Sequence, residues 1–523
     1  MNRHVLAAIA VALIFVAAPV DAKTLRWSSA GDILTLDPHA QDENLVNGFL
    51  SQIYESLVGR DKQMKVVPAL ALSWSNPQPT VWRFRLRPNV KFHDGTPFSA
   101  DDVVFSIERA LAPTSNFKSY MQSITGAKRV DDLTVDIELS APNPALLQNL
   151  TGVRIMSRAW AEKNKVMKPQ NFVEKEETYS SRNTNGTGPY MLVSREPDVK
   201  TVVKENPNWW GKREGNVTEA VYLPIKSAAT RAAALLSGEV DFVLDPPPQD
   251  VPRLKSTAGI KVVEGNEVRT IFLGFDQYRD ELLYSNVKGK NPFKDVRVRR
   301  AVYQAIDIEA IKTKVMRGLS IPTGLMLAPQ VDGYDKALDK RLPLDREQAK
   351  KLLAEAGYPS GFEVTLDCPN NRYINDEQIC QAVVAMLAQV NITAKLNAMP
   401  RATYFPKIQK NDTSFYMLGW GVTTFDAHYG LNPLAHTVTP AGDGSYNLGR
   451  YSNPKMDQLL DQIRIEMDPA KRHKLIADAL VLHNSDVVHA PLHFQVIPWA
   501  MRSNIEVVHR PDNYLTLSWI TVN

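Results

Sequence analysis

The chain predicts an α/β architecture divided into two or three lobes, and three observations lead there. With 523 residues it exceeds what one hydrophobic core organises, so it has to split. Its second half alternates helix-like and strand-like segments, which implies mainly parallel sheets with covered faces. Its composition, 44% hydrophobic with a net charge of +4, is that of an ordinary folded protein. So small a charge argues against a nucleic-acid or polybasic membrane partner. Nor does any Lys/Arg run interleave with aromatics as a single-strand binder requires.

The elements follow in order. Residues 1–22, "MNRHVLAAIAVALIFVAAPVDA", read as an export signal: Arg3 gives the positive start, Val5 to Ala18 the apolar run, and Val20-Asp21-Ala22 the small-residue cleavage site. The run is too short to span a membrane comfortably. Cleavage after Ala22 and a soluble, exported product are expected. "TLRWSS" is a short strand, "FLSQIYESLV" an amphipathic segment, and "VWRFRLRPNVKF" a strand with one exposed face.

In "KFHDGTPFSADDVVFSIERAL", Asp94-Gly95 is a turn pair. Ser99 and Asp102 form a capping box, and Val103, Ile107 and Ala110 share a helical face. Every polar residue there has a structural task, so the motif is scaffold and not an acid–base or metal site. Further on, "AATRAAALLSGEVDFVLD" is a helix stopped by Gly238 and followed by a strand. "REQAKKLLAEAGYPSGFEVTLDC" repeats the plan with Asp345 and Gln348 at its start and Gly357 as its stop. "NDEQICQAVVAMLAQVNITAKL" does so with Asn375 and Gln378 at capping positions, and "NPFKDVRVRRAVYQAID" puts Val298, Ala301, Val302, Ala305 and Ile306 on one face.

Catalytic signatures are missing. No phosphate loop follows Gly211-Lys212 or Gly289-Lys290, and "GYPSGF" holds its serine out of register for a nucleophile elbow. His483, His489 and His493 form the only histidine cluster, and Pro491 makes a helical pair of zinc ligands implausible. No metal or cofactor is expected. Cys368 and Cys380 are the only cysteines; the export signal favours a bridge between them over two buried thiols.

Five blocks in order, "VVPALALSWSNPQPTVWRFRLRPNVKFHDGTPFSADDVVFSIERAL", "GTGPYMLV", "NPNWWG", "RAAALLSGEVDFV" and "NPFKDVRVRRAVYQAID", resemble the large periplasmic solute-binding proteins of ABC importers, the family 5 group that includes dipeptide and oligopeptide binders. The resemblance covers essentially the whole mature chain. It implies a two-lobed periplasmic binding-protein fold (type II, large cluster) with a small lobe inserted in the first. Lobe I would take residues 23–65, 188–268 and 495–523, the inserted lobe 66–187, and lobe III 269–494. The crossings near 266–270 and 494–498 would be hinges.

A binder of this kind holds its solute between lobes, beyond the carboxyl ends of strands. "EVTLDCPNNRYINDEQ" fits, and its Arg372 aligns approximately with the arginine that takes the peptide carboxylate in dipeptide binders. Asn370 and Asn371 accompany it. Asp426 falls near the family's aspartate for the α-amino group, although the Asp-rich run that usually precedes it is missing. Trp420 and Tyr373 are candidate aromatic walls, and Asp42, Glu43 and Asn44 the candidates from lobe I. The function implied is capture of a peptide or similar zwitterion by a monomeric, non-enzymatic receptor that delivers it to permease and ATPase subunits at the inner membrane. The same fold could instead serve an opine, an oligosaccharide or a metal chelate. A secreted hydrolase using Asp94 and Asp101 is the rival from another class.

Overall fold

Two long strands, Ile260–Phe275 and His489–Arg502, run antiparallel side by side through the middle of an 11-stranded sheet. The computed structural model describes residues 23–523 apart from 122, 173 and 441, so the expected export segment and its cleavage site lie outside the described residues. From one edge the strand order is Ile392–Met399, Phe362–Pro369, Phe415–Gly421, Ile260–Phe275, His489–Arg502, Phe242–Leu244, Thr24–Ser29, Glu219–Pro224, Lys200–Glu205 and Tyr190–Glu196. The short strand Ser320–Pro322 also pairs with His489–Arg502. Among the described residues no helix is long and apolar enough to cross a membrane.

The mainly parallel sheet expected from helix–strand alternation needs correcting. Parallel pairing occurs in two places: Thr24–Ser29 with its two neighbours, and Phe362–Pro369 with its two. Helices such as Ala228–Ser237 and Asp376–Ala388 make those crossovers. The strands linking these regions are antiparallel. The sheet is mixed, and its middle strand is buried at every position from His489 to Met501.

Apolar clusters divide along that sheet. One gathers Leu25, Trp27, Tyr222, Phe242 and Trp499. Two others lie at the opposite end: one around Phe275, Phe293, Val302 and Leu366, the other around Phe272, Leu418, Phe425 and Leu480. A further cluster belongs to a separate four-stranded antiparallel sheet made by Ala71–Gln78, Val81–Leu86, Thr134–Leu139 and Ile124–Asp131. Alternation in "VWRFRL" turns Trp82, Phe84 and Leu86 inward, where Val103, Ile107 and Ala110 of helix Ala100–Leu111 meet them.

The histidine- and aspartate-rich motif sits in this small sheet's unit. Ser99 N donates to Asp102 Oδ2 at 2.9 Å, closing the expected capping box, and Arg158 N donates to the other oxygen. Asp94 accepts from Thr96 and Asn185, Gly95 takes a φ of 87°, and Asp101 pairs with Arg129. The carboxylates a hydrolase would have used are engaged in turns, a cap and a surface ion pair.

The ladder between the two long strands breaks once with consequence. Asn266 lies opposite Val496 and Thr270 opposite Phe494, so three residues on one strand face Gln495 alone on the other. Such a bulge frees side chains from the sheet's alternation and re-aims them. Here the freed residues are Glu267, Val268 and Arg269.

Candidate functional site

A cavity of about 1190 Å³ opens beside this bulge, between the two ends of the large sheet. It exceeds the roughly 300–1,000 Å³ of ordinary small-molecule pockets. One wall comes from the loop after strand Phe362–Pro369, as the rule of strand carboxyl ends anticipates. The loop's shape is set by Asp376, whose Oδ2 accepts the amides of Arg372 and Tyr373 at 2.8 and 3.0 Å. The capping position expected for Asn375 therefore needs qualifying: its φ is 53° and its side chain donates to Val315 O, while the neighbouring carboxylate gathers the amides. Asn371 Oδ1 accepts from Arg401 N at 2.7 Å, tying the loop to the next helix. Cys368 and Cys380, whose Cα atoms lie 6.6 Å apart, are disulfide-bonded across the loop's base.

Three guanidiniums gather on this side. The Arg372 carbon lies 5.0 Å from the Tyr373 ring centre, and that of Arg269 5.8 Å from the same ring. Arg269 is neutralised by Glu267 at 3.1 Å, and Gln495 donates to Glu267 at 2.8 Å. Arg372 is different. Among the described residues no carboxylate pairs with its guanidinium, and burial, with Arg269 nearby, lowers its pKa. Arg401 also lines the cavity without an ion-pair partner among the described residues. Beside them Trp420 donates to Tyr429 O at 3.1 Å and packs 4.9 Å from the Tyr446 ring, completing an aromatic corner.

The opposite wall is acidic. Glu43 caps helix Asn44–Leu50 by accepting from Val46 N, and Asn44 donates to Asp512 O. Asp42 is open to cleft water yet ringed by protein, and loss of solvation pushes its carboxyl up to about 6, against hydrogen bonds from Asn47 and Tyr120. Asp245, at the end of strand Phe242–Leu244, is likewise raised to about 6 by burial, with Glu267 adding to the shift. Among the described residues its carboxylate accepts a hydrogen bond from the Asn513 amide alone.

Of the residues singled out in the sequence, Arg372, Tyr373, Asn371, Trp420, Asp42, Glu43 and Asn44 all line this cavity. Asp426 does not. It is 2% exposed, caps helix Ala427–Ala435 through His428 N, and pairs with Arg472 at 2.8 Å. A carboxylate so engaged is unavailable to a solute, which corrects its expected role. Glu267, Arg269, Asp245 and Arg401 line the cavity too, and were not singled out in the sequence. Asp245 had a usable signal, since it follows a strand just as Arg372 does; the bulge that exposes Glu267 and Arg269 had none. Among the described residues no group of three or more His, Cys, Asp and Glu is placed to hold a metal ion.

Comparison with known proteins agrees with this geometry. Residues 65–441 match the family model of bacterial extracellular solute-binding proteins, family 5. The glutathione-binding protein GsiB of Pectobacterium atrosepticum is 28% identical over 490 residues, covering 92% of this chain and 90% of the relative. AgaA of Agrobacterium ("A.tumefacien R10"), solved with agropinic acid, superposes with a TM-score of 0.74 at 26% identity, over 92% of this chain and 94% of that one. DppA of Helicobacter pylori, solved with the peptide STSA, gives 0.77 at 22% identity, over 95% and 97%, a likeness of fold alone. With the match spanning most of the chain, and a cleft between lobes to go with it, this protein belongs to the family 5 extracellular solute-binding proteins, a non-catalytic, binding family.

Proposed function

We propose that this protein is the periplasmic substrate-binding component of an ABC importer and captures a short peptide or similarly sized zwitterion. The observation that carries the reading is the polarity of the cleft. Arg372 and Arg401 lie on one wall without carboxylate partners among the described residues, and Asp42, Glu43 and Asp245 lie on the other. Arg372 is half-buried and partly stripped of water, and a guanidinium in that position favours a solute that brings its own carboxylate. An ammonium at the far end would relieve Asp42 and Asp245 in the same way. Trp27, Trp420 and Tyr446 supply apolar surface for what lies between. GsiB, named for glutathione, supports a solute of this class.

Binding by closure requires the solute to favour the closed arrangement over the open one. The bulge at 266–270 is where the two long strands bend most readily, and it carries Glu267 and Arg269 into the cleft. Delivery would then fall to permease and ATPase subunits. Mass spectrometry of solute released by denaturing freshly purified protein tests the reading. A peptide-like zwitterion is expected; a neutral sugar or a metal chelate would replace it.

A further inference from the structure

The two long strands are not the only link between the lobes. A small hairpin, Val58–Arg60 with Val66–Pro68, lies where the first lobe passes into the inserted one and ends in a tight tip. The tip is built by Asp61, whose Oδ1 accepts the amides of Gln63 and Lys65 at 2.9 Å each, and by Met64 at a φ of 65°. Met64 does not face water. It is 7% exposed and belongs to the apolar cluster of the other lobe, with Val422, Phe425 and Leu431. Arg60 accompanies it: one nitrogen donates to Met64 O at 3.0 Å and the other to Thr424 O at 2.9 Å. Its guanidinium carbon sits 4.4 Å over the Phe425 ring.

The receiving loop, residues 422–426, is held rigidly. Val422 N donates to Val268 O, Asp332 N donates to Phe425 O, and Asp426 is fixed by Arg472. A third element reaches the same place. The Tyr120 hydroxyl, from the unit of the small sheet, lies 3.4 Å from Asp42 of the first lobe and 3.4 Å from Thr423 of the loop. Arg60, Met64, Phe425 and Tyr120 are all absent from the cavity lining.

We propose that the hairpin tip, through Arg60 and Met64, is a latch that docks on loop 422–426 and favours closure of the lobes before any solute arrives. The contacts cross the lobe boundary without passing through either long strand, so rotation at the bulge has to break or shift them. Apparent affinity is the intrinsic affinity scaled by the fraction of molecules in the competent arrangement. Residues that raise this fraction strengthen binding of every solute alike and leave the preference among solutes unchanged.

The test needs no solute, so its outcome is separate from that of the peptide reading. Protein stripped by unfolding and refolding is compared by small-angle scattering as wild type, Arg60→Ala, Met64→Ala and Arg60→Lys. Both alanine variants should show a larger radius of gyration than wild type, and Arg60→Lys, which keeps the charge and a donor, an intermediate one. Amides of 422–426 should exchange faster in Arg60→Ala while the small sheet's amides are unaffected. Phe425→Leu, which removes the ring beneath the guanidinium and keeps apolar bulk, stands in should Met64→Ala not fold. A radius equal to wild type in Arg60→Ala and in the second variant overturns the latch.

Discussion

Asp426 Oδ2 lies 2.8 Å from Arg472 Nη1, and both side chains are almost wholly buried. The pair clamps the start of helix Ala427–Ala435 to helix Pro469–Ser485. Removing one member of a buried pair leaves the other uncompensated, at a cost of about 3–5 kcal/mol. Asp426→Ala should therefore lower stability by about 3 kcal/mol, since Asp332 remains 3.6 Å from Arg472. Urea denaturation measures this. The preference among solutes of the variant that stays folded should match wild type, because Asp426 does not line the cavity.

Arg372→Ala should behave in the opposite way. Its guanidinium has no carboxylate partner among the described residues, so stability should barely change, whereas binding should weaken by about 2–5 kcal/mol. Titration calorimetry with the solute identified by mass spectrometry decides it, and unaltered affinity removes Arg372 from the site.

The acidic wall predicts a pH dependence. Asp42 and Asp245 are both raised to about 6, so they are ionised at pH 7.5 and mostly protonated at pH 5. Only the ionised form attracts an ammonium. Affinity should fall as pH drops through 6, by about tenfold per pH unit for each carboxylate that contacts the solute, and level off above pH 7. A dissociation constant that is flat from pH 5 to 7.5 would exclude both as ammonium partners.

The cysteines bear on the same loop. Cys380 lies twelve positions after Cys368, and closing a loop of that length stabilises the fold by about 3 kcal/mol through the unfolded chain. Thiol titration of denatured, unreduced protein should find no free thiol. Reduction should weaken solute binding more than it destabilises the distant small sheet, because it loosens the loop that presents Asn371 and Arg372.

Local signals carried the sequence a long way. Caps and stops at Ser99, Gly238 and Asp345 were legible because each depends on residues within a turn of itself. The face of Val298, Ala301, Val302 and Ala305 was legible because helical periodicity requires no knowledge of the partner, and all four are fully buried. That Arg372 lines the cavity was legible because strand ends point to clefts. Asp426 was misread because its partner lies 46 residues away, at a distance no periodicity reports. Glu267 and Arg269 stayed hidden for a related reason: a bulge arises from the register of two strands more than 200 residues apart.

That separation also governs how the molecule is made. Residues 489–502, the last long strand of the chain, occupy the centre of the sheet, between Ile260–Phe275 and Phe242–Leu244. A chain emerging from its amino end can form each flank, but until this strand arrives both flanks present an unpaired edge. Pairing of such distant segments is slow, and open edges are where other chains attach. The vulnerable period in the protein's life is thus the interval before residues 489–502 appear, and a chain that lacks them is left with two half-sheets and without the strand that pairs with both.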